Sequence, residues 1–121
     1  MEREIIFRGK SKDSGRWFYG GYVAFNCIST IDGEVIVFPE TVGQFTGLTD
    51  KNGKRIFEGD IIYMGLYPYV IKYDRENARY MLYTPRGNNK RDGFNAFTME
   101  THEVIGNIHD NPELLKSEAR K

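Results

Sequence analysis

The chain has 121 residues, 40% of them apolar and 28% charged, a balance that belongs to globular rather than disordered proteins. Its 17 basic and 17 acidic residues cancel, which argues against a strongly basic nucleic-acid binder, whose affinity comes largely from phosphate neutralisation, though not against a local basic patch. The single cysteine, Cys27, cannot form an intramolecular disulfide, and no apolar run approaches the roughly 20 residues that span a bilayer. The start, Met1-Glu2-Arg3-Glu4, has charges of both signs and no long apolar stretch behind it. A soluble, cytoplasmic protein with no membrane association is therefore expected. Eight Tyr and eight Phe among many Val and Ile favour strands, and 13 glycines suit a fold with many tight turns.

In chain order, Glu4 to Arg8 and Arg16 to Phe25 read as strands across the polar loop Ser11 to Gly15. Ile28 to Ile31 and Glu34 to Phe38 flank Asp32-Gly33, a pair suited to a type I′ turn because both central residues need positive φ. Pro39 cannot donate to a ladder and is expected to end that strand. Glu40 to Gln44 fits a helical turn or a plain connection equally well. Leu48 and Arg55 to Phe57 flank the turn Asp50-Lys51-Asn52-Gly53, and Phe57-Glu58-Gly59-Asp60 reads as a tight corner into Ile61 to Met64. Tyr69 to Tyr73 and Arg79 to Thr84 pair across Asp74 to Asn77. Pro85 to Gly93 reads as an exposed basic loop, and Phe94 to Met99 and Glu103 to Ile108 as the last strands. Asn111-Pro112-Glu113-Leu114-Leu115 has the form of a short helix, with Asn111 as N-cap and Pro112 at its first position. Lys116 to Lys121 is a charged tail.

Turn signals recur at roughly 8–12-residue spacing, as in small sandwiches and barrels. The expected fold is mainly β, with N-terminal β-hairpins over residues 1–45 packed on a C-terminal barrel over 46–115, a tail over 116–121, and short helical turns only. The two hairpins are small for independent stability, so packing on the barrel or on a second copy is expected.

Three ordered stretches resemble the YopX family of phage and prophage proteins. They are the opening Arg3-Glu4-Ile5-Ile6-Phe7-Arg8-Gly9-Lys10 with Arg16-Trp17-Phe18-Tyr19-Gly20, the central Glu40 to Ile62, and the ending Glu103-Val104-Ile105-Gly106-Asn107-Ile108-His109-Asp110-Asn111-Pro112-Glu113-Leu114-Leu115. The resemblance implies a phage or prophage origin, a bacterial cytoplasmic setting and an SH3-like form for the C-terminal barrel. It implies no catalytic or binding residue.

The candidate sites are few. Gly47, Gly53, Gly59, Asp60 and Gly106 read as structural, with positive φ at Gly53 and Gly59 and Asp60 accepting backbone N–H bonds at the corner. Glu58 and Asp60, two apart on a strand, are the one carboxylate pair suggestive of acid–base work, but no substrate pocket is visible beside them. Asp50 to Gly53 departs from a calcium loop, since Lys54 falls at the fifth position and the glycine comes two places early. His102, His109 and Cys27 lack the paired spacing of a zinc site. His102 reads as a solvated residue, and Cys27 as a small core residue with no cause for a lowered thiol pKa. No P-loop or dinucleotide fingerprint is present, and no cofactor is expected.

One segment carries a charge bias. Lys72, Arg75, Arg79, Arg86, Lys90 and Arg91 outnumber Asp74 and Glu76, with Tyr73, Tyr80 and Tyr83 interleaved. Small barrels bind single strands by stacking bases on aromatics beside a basic groove. A solvated hairpin face is the plainer reading. Within the segment, Tyr80 and Tyr83 fall on opposite faces of a regular strand. The expected function is that of a non-catalytic interaction module, an accessory protein that binds a protein partner or itself as a homo-oligomer. The alternative is weak nucleic-acid binding by Lys72, Arg75, Arg79, Tyr80, Tyr83, Arg86, Lys90 and Arg91.

Overall fold

The computed structural model describes residues 5–24, 26–87 and 89–116. The residues before Ile5, Phe25, Asn88 and the tail beyond Lys116 lie outside the described residues, and with them parts of the first two expected strands and of the expected loop from Pro85 to Gly93. The chain is mainly β and forms two compact units, residues 1–45 and 46–121.

The first unit contains β1 (Phe7–Lys10), β2 (Trp17–Ala24), β3 (Cys27–Thr30) and β4 (Gly33–Ile36), followed by a 3-10 turn at Pro39–Thr41 and the start of β5 (Gly43–Thr49). Its strands run antiparallel in the order β4-β3-β2-β1-β5. The two hairpins also bond to each other beyond their strand ends. Ser11 bridges Val37, the Lys12 N–H donates to the Ile36 carbonyl (3.0 Å) and the Phe38 N–H to the Lys10 carbonyl (2.9 Å). The four strands thus curl until the last meets the first. Ile28 and Val37 are fully buried inside the curl. Gly9 permits this closure, because a Cβ there would sit 2.9 Å from Val37 Cγ2. Gly20 is needed for a like reason, since its Cβ would lie 1.9 Å from the Ser29 carbonyl oxygen. Thr41 secures the end of the unit, accepting from the Lys10 N–H (2.9 Å) and donating to the Phe38 carbonyl (2.6 Å).

The β3–β4 turn differs from the type I′ expectation. Thr30 pairs with Gly33, so Ile31 and Asp32 occupy the tip. Gly33 has φ +124° and Asp32 does not have a positive φ. The Thr30 hydroxyl decides the register, donating to the Gly33 carbonyl (2.7 Å) and accepting from the Asp32 N–H (3.1 Å).

In the second unit β5 continues into a hairpin with β6 (Arg55–Phe57), followed by β7 (Asp60–Met64), β8 (Tyr67–Asp74), β9 (Arg79–Tyr83), β10 (Lys90–Arg91), α1 (Ala96–Met99) and β11 (Val104–Asn107). Strands β7 to β11 form an antiparallel sheet in the order β10-β9-β8-β7-β11. Ile56, Ile62, Ile71, Leu82, Met99 and Val104 form its buried core, with Leu48, Met64, Tyr69, Tyr80 and Phe94 packed against them.

Two expectations for this unit are corrected. Pro85 to Gly93 is not loop throughout, because Lys90 and Arg91 pair with Tyr83 and Leu82. Phe94 to Met99 is not a strand. The Asn95 side chain accepts from the Thr98 N–H (2.9 Å) and caps a single helical turn, which delivers Met99 to the core. Near the C-terminus, Pro112–Leu115 is a 3-10 turn. Asn111 flanks it without a side-chain cap bond and instead accepts from the Asn107 N–H (3.2 Å).

Candidate functional site

The ladder between β8, β9 and β10 positions the cationic residues. Lys72 lies opposite Met81, Val70 opposite Tyr83, and Tyr83 opposite Lys90, so Lys72, Tyr83 and Lys90 share a face with Asp74 and Arg79. Tyr80 lies opposite Tyr73, and Arg91 opposite Leu82, on the other face. Arg75 and Arg86 are in the loops that follow β8 and β9. The eight nominated residues are therefore divided between the two faces of the sheet and two loops.

Their charges are partly answered as well. The Lys90 ammonium is 2.6 Å from Asp74 Oδ1 and 2.6 Å from Glu76 Oε1. Arg79 pairs with Asp92. The Asp74 carboxylate is buried, and besides Lys90 it accepts from the Tyr83 hydroxyl (3.1 Å), the Asn77 N–H (3.2 Å) and the Asn77 side-chain amide. The Lys90 hydrogen bond is the main cause holding the Asp74 carboxyl down to about 2, against the opposing effect of burial. Lys90 is pushed up in turn by Asp74 and then Glu76. Burial pushes the Tyr83 phenol up, and its bond to Asp74 adds to this. Tyr80 packs edge-on against Tyr73, with ring centroids 5.3 Å apart, and touches the core through Phe94. Neither nominated tyrosine is a free stacking platform.

The structure places two cavities beside this region, and the sequence reading missed the first. Strand β9 ends at Tyr83, opposite Val70, so Tyr67, Pro68 and Tyr69 at the start of β8 extend past it. The chain turns away there instead of pairing. The Gly87 N–H donates to the Thr84 carbonyl (2.8 Å), and Thr84 and Asn89 bond through the Thr84 N–H (2.9 Å) and hydroxyl. Between this turn and β8 lies a cavity of about 430 Å³, lined by Tyr67, Pro68, Tyr69, Thr84, Pro85, Arg86 and Asn89. A second, of about 340 Å³, is lined by Tyr83, Gly87, Asn89 and Lys90 and meets the first at Asn89. Alternation places Tyr67 and Tyr69 on one face, but the cavity depends on where β9 stops, which composition does not reveal.

The other nominated residues have structural roles in this geometry. Gly47, Gly53 and Gly59 have φ of +96°, +80° and +89°. Asp60 is buried and accepts from the Phe57 N–H (2.8 Å). Gly106 has no positive φ, but a Cβ there would meet Asn111 Oδ1 at 2.5 Å. Asp50, read only as a turn residue, is buried and accepts three backbone N–H groups, from Asn52 (2.8 Å), Lys54 (2.9 Å) and Val104 (3.0 Å). Burial works against its ionised form, but these donors prevail and its carboxyl lies below the ordinary value.

His102 is half-buried, its Nδ1 2.8 Å from the Thr98 carbonyl oxygen. Cys27 is buried 3.6 Å from Glu34 Oε1, and burial followed by that carboxylate pushes its thiol up. Among the described residues no three His, Cys, Asp or Glu side chains gather so as to hold a metal ion. Nor is any helix among them long and apolar enough to cross a membrane.

A mainly-β chain of two small antiparallel units, with turns fixed by glycine and buried aspartate, is the class that fold and site define. The family described as YopX protein matches residues 6–116. The chain belongs to the YopX family. A search of curated proteins finds no match. Among solved structures the chain is similar to protein EF1440 from Enterococcus faecalis, with TM-score 0.61 and 23% identity, covering 95% of this chain and 100% of that one. At that identity the likeness concerns the fold alone.

Proposed function

We propose that this is a phage- or prophage-encoded accessory protein of the bacterial cytoplasm that acts by binding another protein or a second copy of itself, and not by catalysis. The observation that carries this reading is the apolar surface of the first unit. Tyr19 is 50% exposed, Ile36 51% and Ile31, at the β3–β4 tip, 100%. By alternation Tyr19 and Ile36 lie on the face opposite Ile28 and Val37. Large apolar side chains left in water on one unit favour a contact surface. The carboxylates best shielded from water support the non-catalytic part. Asp50, Asp60 and Asp74 are each engaged by backbone or side-chain donors rather than directed at a substrate.

Sedimentation velocity from low to high micromolar concentration tests the reading, with Tyr19→Ser/Ile36→Ser as the comparison. The expected result is concentration-dependent association that the double variant loses. If the chain stays monomeric, a nuclease-resistant complex from host lysate, absent with the variant, would identify the partner as another protein. A monomer that captures nothing in either form overturns the reading.

A further inference from the structure

We propose that the cavity between the start of β8 and the Thr84–Asn89 turn binds an unpaired nucleotide within a single strand of nucleic acid. This goes beyond the reading above and uses a different unit of the chain. Tyr67 is 52% exposed and, with Tyr69, supplies flat π surface along one side of the cavity. Pro68 and Pro85 also line it and are rigid without further ordering. A volume of about 430 Å³ lies within the usual range for small-ligand sites. On the opposing wall Thr84 is hydrogen-bonded to Gly87 and to Asn89.

Charge selects among the flat ligands such a site could hold. Arg86 lines the cavity, and no Asp or Glu does so among the described residues. The Arg91 guanidinium lies 5.7 Å from the centroid of the Tyr69 ring. The Lys72 ammonium lies over Tyr83, 5.8 Å from its centroid, on the way to the adjoining cavity. Arg91 and Lys72 lie on opposite faces of the sheet, so Arg86 is the cation placed at the cavity itself, where a ring with an adjoining cation suits a base next to its phosphate. Asn89 adds an amide, able to donate and accept, where the two cavities meet. The adjoining cavity gives the strand a continuation, which favours an oligonucleotide over a free nucleotide. The stacking residue thus differs from those suggested by charge counting, since half-exposed Tyr67 takes the place of Tyr80 and Tyr83, while Arg86 is kept.

The test is titration of the full chain with a fluorescein-labelled oligothymidylate of about ten nucleotides at low salt, repeated across a salt series. Tyr67→Ala should weaken binding by about tenfold or more, the loss of one stacked base. Arg86→Glu should weaken it and lower the salt slope by at least about one. Tyr80→Phe, outside the cavity lining, should bind as the parent does. Each variant is first checked for an unchanged thermal midpoint. Because Tyr67 is half exposed, its truncation leaves the core intact, and Tyr67→Ser provides a second version. The proposal is overturned if the strand does not bind at 100 micromolar or so, if both cavity variants bind as the parent does, if thymidine monophosphate binds as tightly as the strand, or if a proline-rich or acidic peptide occupies the site in its place.

Discussion

The Asp50 carboxylate accepts the N–H of Val104 at 3.0 Å, joining positions 54 residues apart in the chain. The same carboxylate closes its own turn through the Asn52 and Lys54 N–H groups, so one buried side chain serves the β5–β6 hairpin and the start of β11 together. Next to it the Lys51 N–H donates to the His102 carbonyl (2.9 Å). Both carboxylate oxygens thus accept backbone donors.

Replacing Asp50 with Ala would leave three N–H groups short of an acceptor, the one from Val104 at a buried residue. The expected loss is about 3 kcal/mol of folding stability, since hydrogen bonds to a charged group are worth about 1.5–3 kcal/mol each and water recovers part of the exposed ones. Asp50→Asn should cost less, about 1–2 kcal/mol, because one oxygen is retained while the amide NH₂ opposes a backbone donor. Urea denaturation midpoints with an unchanged slope would check both values. Equal stability of all three proteins would show that the Val104 contact is dispensable.

Gly59 and Gly106 are both glycines of the family-like stretches, yet their expected failures differ. Gly59 sits at φ +89°, donating to the Ile71 carbonyl (2.8 Å) and accepting from the Ile108 N–H (2.9 Å). A Cβ there would meet only Ile108 side-chain atoms at 3.7 and 3.8 Å, an ordinary contact. Gly59→Ala should therefore cost about 1–3 kcal/mol through backbone strain alone. Gly106→Ala should act through collision with Asn111, releasing its bond to the Asn107 N–H. Amide exchange separates the two cases. Gly106→Ala should speed exchange at Asn107 and the following turn first, while Gly59→Ala should lower protection across β7, β8 and β11 together.

These two glycines also show how much of the fold could be read from the residues. Turn chemistry is local, so the Asp50–Gly53 turn, the Gly59 corner and the mainly-β class were accessible. The Phe94–Met99 error arose because apolar content suggested a strand while the deciding feature was one capping side chain, Asn95. The turn at Ile31-Asp32 moved by one residue because the Thr30 hydroxyl outweighed the Asp-Gly preference. Curling of the first unit depends on Val37 reaching Ser11, a pairing between distant positions that no local pattern encodes. For the site, counting cations from Lys72 to Arg91 missed Asp92, one residue past the segment, and could not show that Asp74 would be buried against Lys90. Tyr67 and Tyr69 went unnoticed because their accessibility depends on β9 ending at Tyr83.

Cys27 should be a slow thiol. It is buried, and both burial and the Glu34 carboxylate disfavour its thiolate, the reactive form. An aromatic disulfide reagent at neutral pH is expected to react much more slowly with the native chain than with the urea-unfolded chain. Glu34→Gln should speed the native reaction modestly by removing the nearby charge, leaving burial as the larger barrier. Native and unfolded rates within twofold of each other would show that the thiol is open to solvent.

The Asp74–Lys90 pair makes a signed prediction for acid stability. Asp74 is depressed from the ordinary 3.8 to about 2, so the folded state binds its proton less readily than the unfolded state. The stability it contributes is present in full above about pH 4 and is lost as pH falls through that value towards 2. Asp50 shifts in the same direction, so Asp74 accounts for part of the acid limb and not all of it. Lys90 has the opposite sign. Its raised value gives stability present below its ordinary 10.5 and lost only as pH rises beyond that, outside the acid window. Asp74→Asn should therefore flatten the fall in thermal midpoint between about pH 4 and 2 while lowering the midpoint at pH 7. Lys90→Met should move the Asp74 carboxyl upward, since Lys90 is the main cause of the depression, and so shift the start of acid unfolding to higher pH. Thermal melts from pH 2 to 8 on the parent and both variants provide the measurement. Parallel curves for parent and Asp74→Asn across the acid limb would refute the assignment.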